Sequence, residues 1–298
     1  MSTLPSSRKR SPRRSVARVD RDDVIAALRR IPGLAGVAPE RIEISRLGGL
    51  TNANVKVETP DGTFALQMRV PDPEGYRSGA ATADALRMAD RLDIGPKLVH
   101  ADDRIIVTRW ITRVERLGID PRRAGALFAR LHQSGERLDR RFDPFDAARR
   151  YADALGCSPL SAALADALAR TEHGTPAKPV PIHGDPVPKN FVDAGDRLLL
   201  LDWEYAGMGD PAWDLAYLSL EAGYTADDET QLRAAYRDPR MTIERLATAK
   251  MVAASVAVLW GSLRAKRGQP PDLSAWIATR LRQAEALASV LYPDPGSG

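Results

Sequence analysis

The chain has very little cysteine and histidine. Its 298 residues include one cysteine, Cys157, and four histidines. A single cysteine excludes an intramolecular disulfide framework and a cysteine-rich zinc site, and the four histidines show no metal-ligand spacing. We therefore expect a chain that folds without disulfides, and the reducing cytoplasm is the compartment that this composition predicts.

The chain also lacks a long apolar run. No fully apolar stretch approaches the roughly 18 to 20 residues that a membrane-spanning helix needs. Hydrophobic residues nevertheless make up 44% of the sequence, which is enough to build a core, and the length fits one unit of two lobes. The sequence predicts no membrane span.

The first 19 residues lack acidic side chains and are rich in basic ones. Six arginines and lysines lie there among serines and prolines, whereas the whole chain has a net charge of +4. Such a segment has too few apolar side chains to bury, so we expect residues 1–19 to be a disordered basic tail and residues 293–298 a flexible end. No base-reading motif accompanies the arginines, and a nucleic-acid partner is not expected.

The polar residues that could take part in a reaction are concentrated between residues 181 and 216. His183, Asp185 and Asn190 lie in HGDPVPKN, and Asp202 follows the apolar run 198–201, which is typical of a buried strand. Kinases use this order: a loop Asp as base, an Asn five residues later and a second Asp at a strand end as metal ligands. The spacing therefore predicts phosphoryl transfer.

The residue types suit that chemistry. Asp185 would orient the attacking hydroxyl as the catalytic base, and His183 would brace its loop. Asn190 and Asp202 would supply the oxygen ligands that Mg²⁺ prefers. The alternative is a surface loop in which Asp and Asn only cap turns. The coincidence of all four residues with the apolar strand favours the catalytic interpretation.

Three separated blocks, LGGLTNANVKV, HGDPVPKN and LLLLDWEYAGMGDPAWDLA, resemble in this order the choline/ethanolamine kinase branch of the aminoglycoside phosphotransferase superfamily, which is protein-kinase-like. The resemblance runs from about residue 20 to about residue 288. It implies an α+β fold of two lobes, a small N-lobe with an antiparallel sheet at 20–111 and a larger, mostly helical C-lobe at 112–292. It also implies ATP and Mg²⁺ as cofactors and a small-molecule acceptor.

The hydrophobic pattern agrees with that fold. Alternation predicts strands at 42–47, 53–58, 63–70 and 105–111. Apolar residues at near-helical spacing predict a helix at 77–92, and most of the remaining chain reads as helical.

A glycine-containing turn separates the first two predicted strands. Gly49 would let backbone amides approach phosphate oxygens, and Thr51 and Asn52 would add side-chain donors. An ordinary hairpin turn has a similar composition. The resemblance favours a loop that covers the nucleotide.

The third strand should carry a cation for the α- and β-phosphates. Gln67 and Arg69 both fit by spacing and share one strand face, and we favour Arg69 because a neutral amide lacks the charge. By the resemblance, the glutamate that pairs with this cation is replaced by Thr82, with Asp84 and Glu74 as possible substitutes out of register. The hinge that would contact adenine lies near Trp110.

Aromatic and acidic residues of the C-terminal part are candidates for the acceptor pocket, because aromatic faces and a carboxylate hold quaternary ammonium ions. Core packing is the alternative for each of them, and it is stronger for Trp260 and Trp276. The candidates are Trp203, Glu204, Tyr205, Trp213, Tyr217, Glu221, Trp260 and Trp276.

Two classes of function remain. The first is an ATP- and Mg²⁺-dependent kinase of a small amino alcohol, with choline or ethanolamine first and an aminoglycoside, thiamine or another alcohol next. The second is a pseudokinase or binding module, which Thr82 suggests. Retention of the base and both metal ligands favours the kinase. No pattern in the sequence indicates an oligomeric state.

Overall fold

The computed structural model describes residues 20–47, 53–69, 79–173, 178–269 and 271–293. Contacts divide the chain into two compact units, one of residues up to 73 with 98–110, the other of residues 74–97 with 111 onwards. Gly49, Thr51, Asn52 and Glu74 lie outside the described residues, as do the segments 1–19 and 294–298. The lobe boundaries drawn from the sequence stay a prediction.

In the described residues of the first unit, a five-stranded antiparallel sheet is accompanied by one α-helix. The strand order is β1-β2-β3-β5-β4. The elements are α1 Arg21–Leu28, β1 Glu43–Leu47, β2 Ala53–Thr59, β3 Gly62–Met68, β4 Leu98–Ala101 and β5 Ile105–Arg109.

Alternating burial explains this sheet. On β3, Phe64 and Leu66 are buried against a core that also contains Val24 and Leu28 of α1. Side chains of a strand alternate between its two faces, so the residues between them lie on the opposite face. The predicted antiparallel sheet is confirmed. Strand β4 was missed because its four residues are all partly buried and therefore show no alternation.

The second unit is mostly helical, and its described residues include two short antiparallel strand pairs. Strand β6 pairs with β9 and β7 pairs with β8, both antiparallel. The elements are α2 Gly79–Arg91, α3 Pro121–His132, α4 Pro144–Leu155, α5 Ala162–Glu172, β6 Val180–Ile182, β7 Phe191–Asp193, β8 Leu198–Leu200, β9 Gly207–Gly209, α6 Ala212–Ala222, α7 Ala226–Tyr236, α8 Ile243–Lys266 and α9 Ser274–Leu291. The α+β, kinase-like fold predicted from the sequence is thus confirmed.

Helix α8 forms the centre of this unit. Its most apolar window has a mean hydropathy of 1.5, so by length and composition alone the helix could cross a membrane. However, 67% of that window is buried inside the protein, where α8 contacts α4, α6 and α9. Met251, Ala254 and Leu259 lie in the core cluster of the unit. Burial by other helices accounts for its apolar composition without a membrane.

Candidate active site

The loop after β6 and the end of β8 are tied together by hydrogen bonds. The Leu201 N–H donates to the Asn190 carbonyl at 2.7 Å, and His183 Nε2 donates to the Leu201 carbonyl at 2.8 Å. Asp202 follows Leu201 directly, so the structure brings it next to the loop that holds Asp185. The charge of Asp202 contributes to a raised pKa of Asp185, after burial as the largest cause.

His183 is fully buried and both of its ring nitrogens have partners. Because a carbonyl can only accept, Nε2 carries the proton that goes to Leu201, and Nδ1 accepts the Asp185 N–H at 3.3 Å. Burial also lowers the pKa of the imidazole and favours this neutral form. No ring nitrogen is left for proton transfer, so the contacts favour the bracing role predicted for His183.

Helix α6 holds the peptide that precedes Asp185. Asp214 is fully buried, and its two carboxylate oxygens accept the N–H groups of His183 at 2.7 Å and Gly184 at 2.9 Å. His132 Nε2 lies 3.1 Å from the same carboxylate. From the sequence Asp214 is expected to be a helix-cap residue or a buttress of the loop, and its contacts favour the second role.

Glycine is required at position 184. Its φ is +84°, and an added Cβ would lie 2.6 Å from the Tyr205 carbonyl oxygen. The Gly184 carbonyl accepts the indole N–H of Trp213 at 2.9 Å. A side chain here would therefore strain the backbone and displace Asp185.

Asn190 contacts Asp185 directly. Its amide nitrogen donates to the Asp185 carbonyl at 2.9 Å and to Asp185 Oδ2 at 3.3 Å. Both bonds use the nitrogen, so the amide oxygen is the atom with which Asn190 would bind a metal ion. This is the orientation that the predicted ligand role requires.

Negative charge accumulates around Asp185. Burial, as the largest cause, and the charges of Asp202, Glu204 and Glu221 together raise the pKa of its carboxyl to about 8, although the charge of Lys189 acts in the opposite direction. A divalent cation would offset this repulsion, and carboxylate and amide oxygens are donors that suit Mg²⁺. Among the described residues no group of three or more His, Cys, Asp or Glu side chains could hold a metal alone. Phosphate oxygens and water would complete the shell, as Mg²⁺ commonly requires.

Asp202 has a backbone conformation that most residues avoid. Its φ of +62° and ψ of +65° lie in the left-handed region. Asp tolerates this region better than most residues, and such conformations are concentrated at functional sites. The conformation is consistent with a specialised role for the carboxylate at the end of β8.

Two predicted substrate residues are buried parts of the scaffold. Trp203 is 1% exposed and donates its indole N–H to the Leu200 carbonyl at 3.0 Å, and its ring packs edge-on against His183. Trp213 is 5% exposed and stacks on Tyr217. These contacts favour a structural role for both tryptophans over a contact with the acceptor.

The remaining candidates lie near the catalytic loop or along α8 and α9. Burial raises the pKa of Tyr217 well above its usual range, and the charges of Asp185 and Glu221 act in the same direction. Glu204 is buried, and Trp260 packs edge-on against Trp276 at 5.9 Å between ring centroids. The structure thus places Glu204, Tyr217 and Glu221 in the electrostatic environment of Asp185.

Three arginines that were not among the candidates from the sequence lie beside the candidate rings: Arg140 next to Tyr205, Arg264 next to Trp260 and Arg280 next to Trp276. Two of them were detectable from spacing. Arg264 and Arg280 each follow their tryptophan by four residues on one helix, the separation at which side chains meet.

The candidate nucleotide residues that the structure describes belong to the first unit. Gln67 lies on β3, on the face opposite the core residues Phe64 and Leu66, and Arg69 follows the end of that strand. The shared face of Gln67 and Arg69 and the choice between them both stay predictions. Neighbouring β2 adds a cation to the same face, Lys56, which pairs across the strands with Ala65 and lies 5.3 Å from the Trp110 ring.

Thr82, in the place of the expected glutamate, is buried on α2 at 2% exposure. Of the two suggested substitutes, Asp84 forms an ion pair with Arg87 at 2.7 Å and is mostly exposed. These contacts do not identify Asp84 as the residue that replaces the expected glutamate.

A loop that carries an Asp and an Asn is hydrogen-bonded to the end of a buried strand, and a second Asp follows that strand. One unit of the chain contains an antiparallel sheet and the other is mostly helical. Together these features define a protein-kinase-like phosphotransferase. The family model of the phosphotransferase enzyme family, APH, matches residues 43–247. The chain belongs to this family, and the family resemblance inferred from the sequence motifs is confirmed.

Individual relatives agree with this assignment. A structure of a choline/ethanolamine kinase family protein from Mesorhizobium loti has a TM-score of 0.75 and 30% identity, and the match covers 89% of this chain and 94% of that one. Protein LicA of Haemophilus influenzae is 28% identical over 61% of this chain, which spans 58% of the length of that relative. A structure of LicA in complex with AMP has the same fold, with a TM-score of 0.68, 22% identity, and coverage of 84% of this chain and 92% of the other.

Proposed function

We propose that the protein transfers the γ-phosphoryl group of ATP to the hydroxyl of a small amino alcohol, with Mg²⁺ as cofactor. The observation that carries this proposal is the bonded pair of Asp185 and Asn190 on a loop tied to the residue before Asp202. The relatives support it, because one is named for choline and ethanolamine kinases and another was solved with AMP.

In the proposed reaction Asp185 orients the acceptor hydroxyl and takes its proton. The hydroxyl oxygen forms a bond to the γ-phosphorus while the bond from that phosphorus to the β,γ-bridging oxygen breaks, and ADP leaves. When bound by Asn190 and Asp202, Mg²⁺ would offset the charge on the phosphates. His183 and Asp214 keep the loop in place through bonds to its backbone.

The relatives make choline and ethanolamine the first acceptors to test, followed by thiamine and aminoglycosides. A catalytically silent binding module is the second candidate, favoured by Thr82 in the place of the expected glutamate. The deciding experiment is an ADP-release assay with ATP and Mg²⁺ over these acceptors. We expect release that needs both an acceptor and Mg²⁺. No release with any acceptor, together with no ATP-dependent thermal shift, would leave only the binding module.

The replacement Asp202→Asn is expected to raise the Mg²⁺ concentration for half-maximal activity by about tenfold or more, because a neutral amide binds the cation less tightly than a carboxylate. Titration of Mg²⁺ at saturating ATP measures this. Asp196→Asn, at an exposed position between β7 and β8, is the control and should behave as the unmodified protein. Equal Mg²⁺ requirements for both variants would remove Asp202 from the metal site.

The replacement Arg69→Ala is expected to weaken ATP binding by ~10-fold or more, because hydrogen bonds of a charged donor to phosphate contribute about 1.5–3 kcal/mol. Gln67→Ala should weaken it less. Isothermal titration of each variant with a non-hydrolysable ATP analogue measures the difference. The reverse order would assign the phosphate contact to Gln67.

A further inference from the structure

Three buried side chains from three helices form a hydrogen-bonded chain behind the catalytic loop. The Tyr236 hydroxyl on α7 lies 3.2 Å from His132 Nδ1 on α3, and His132 Nε2 lies 3.1 Å from Asp214 Oδ2 on α6. Their exposed fractions are 1%, 4% and 0%. The carboxylate in turn accepts the backbone N–H groups of His183 and Gly184, which precede the proposed base. Helices α3 and α7 are thus connected to the peptide that carries this base.

The protons of this chain have one favourable arrangement. Both oxygens of the Asp214 carboxylate act as acceptors, so His132 Nε2 carries a proton and donates it, because two lone pairs at this distance would repel. Nδ1 then has no proton and accepts the Tyr236 O–H, whose pKa is raised by burial. Among the described residues this hydroxyl has no other hydrogen-bond partner. The neutral Nε2–H tautomer therefore satisfies all three groups.

Packing fixes the plane of the same imidazole ring. His132 stacks on Phe128, one turn earlier on α3, with 5.5 Å between ring centroids and 8° between ring planes. Phe128 packs edge-on against Phe191 at 6.2 Å, and Phe191 follows the proposed metal ligand Asn190. The contacts of His132 therefore lead to both ends of the catalytic loop, residues 183–190.

The Nε2–H bond helps to orient the carboxylate of Asp214. Oδ2 accepts from both His132 and the His183 N–H, and Oδ1 accepts from the Gly184 N–H. Without the imidazole donor the carboxylate would keep two bonds instead of three and would lose a charge-assisted one. Because the two N–H groups precede Asp185, a rotation of the carboxylate would displace the base. A displacement of about 1 Å can cost about 100-fold in rate.

We propose that His132 is a positioning residue, which holds the catalytic loop in place through its Nε2–H bond to Asp214. Tyr236 stabilises the tautomer that makes this bond. This inference rests on the proposed function and adds two residues to its machinery, neither of which belongs to the candidate nucleotide or acceptor residues. Core packing of the two rings is the competing explanation.

Glutamine and asparagine at position 132 separate the hydrogen bond from packing. The Gln amide can place an N–H donor where Nε2 lies, whereas the Asn amide reaches only the position of Nδ1, and both lose the ring stack on Phe128. We expect kcat to fall ~10-fold or more in His132→Asn but by about 3-fold or less in His132→Gln. The KM values for ATP and the acceptor should stay unchanged. ADP release measures both constants.

The replacement Tyr236→Phe removes only the hydroxyl. We expect kcat to fall by ~3-fold to 10-fold, the range for one neutral hydrogen bond, with unchanged KM values. Tyr224→Phe is the matched control, because its hydroxyl donates to the Ile119 carbonyl at 2.7 Å and is not part of the chain. Thermal denaturation of each variant sets an assay temperature at which all of them are folded.

NMR of the imidazole rings tests the tautomer independently of turnover. The chain has only four histidines, so the ring signals of His132 can be assigned by comparison with His132→Gln. Correlations between ring protons and ring nitrogens show which nitrogen is protonated. We expect protonation at Nε2 only.

Equal losses of kcat in His132→Asn and His132→Gln would assign the effect to packing and overturn the inference. Protonation of His132 at Nδ1 overturns it too, as does a kcat of Tyr236→Phe equal to that of Tyr224→Phe. In each case the unmodified protein still releases ADP, and the proposed function stands. An absence of turnover with every acceptor in the unmodified protein overturns the proposed function, and the inference with it.

Discussion

The replacement Asp185→Asn is expected to lower kcat by at least about 100-fold, the loss typical of removing a positioned general base. The amide has nearly the shape of the carboxylate, but it cannot take the proton of the acceptor hydroxyl. ATP binding should persist, because the candidate nucleotide residues do not include Asp185. Acceptor-dependent ADP release gives kcat, and an ATP-dependent thermal shift reports binding.

The stability of this variant shows whether a loss of activity comes from a defect in catalysis or from a defect in folding. In the metal-free protein the pKa of Asp185 is raised to about 8, so its ionised form is disfavoured in the folded state at neutral pH. A neutral Asn removes that cost above the unfolded-state pKa, and the variant should unfold at the same temperature as the unmodified protein or higher. Asp196→Asn is the control for both readouts. Unchanged turnover in Asp185→Asn would exclude Asp185 as the base.

The replacement Asp214→Ala is expected to have the largest effect on stability, a loss of about 3–5 kcal/mol in the free energy of unfolding. The carboxylate is fully buried, and its removal leaves the N–H groups of His183 and Gly184 without an acceptor. Each unsatisfied buried donor costs about 1–3 kcal/mol. Urea denaturation followed by circular dichroism measures the loss.

A matched surface replacement shows what is specific to the buried carboxylate. Asp166 on α5 is 60% exposed and pairs with Arg170, so Asp166→Ala should change stability by no more than about 0.5 kcal/mol. At temperatures where Asp214→Ala is still folded, kcat should fall because the peptide before Asp185 has lost its support. A stability loss below about 1 kcal/mol would show that this carboxylate does not hold the loop.

Much of the first unit could be predicted because its local pattern and its tertiary role agree. Phe64 and Leu66 alternate with residues of the opposite face, and both the strand and its antiparallel pairing are observed. The order β1-β2-β3-β5-β4 was not predicted in detail, because β4 has no alternation and pairs with β5 through an irregular register.

For the tryptophans, the sequence alone could not distinguish a binding role from a core role. Trp203, Trp213, Trp260 and Trp276 are equally suited by residue type to a binding pocket or a core. The structure separates them, because two have buried indole N–H groups bonded to backbone carbonyls and two have arginines beside their rings.

The sequence by itself determined which side chains are candidates for phosphoryl transfer, because that chemistry needs particular atoms at short separations along the chain, and Asp185, Asn190 and Asp202 lie within 18 residues. Only the tertiary structure decided how the charged side chains of α6 and α9 are paired. Glu221 and Arg280 are distant in sequence, and their ion pair forms because α6 and α9 bring them together in a buried environment. Burial and pairing set the charge of such a site, and both depend on contacts that a local pattern does not contain.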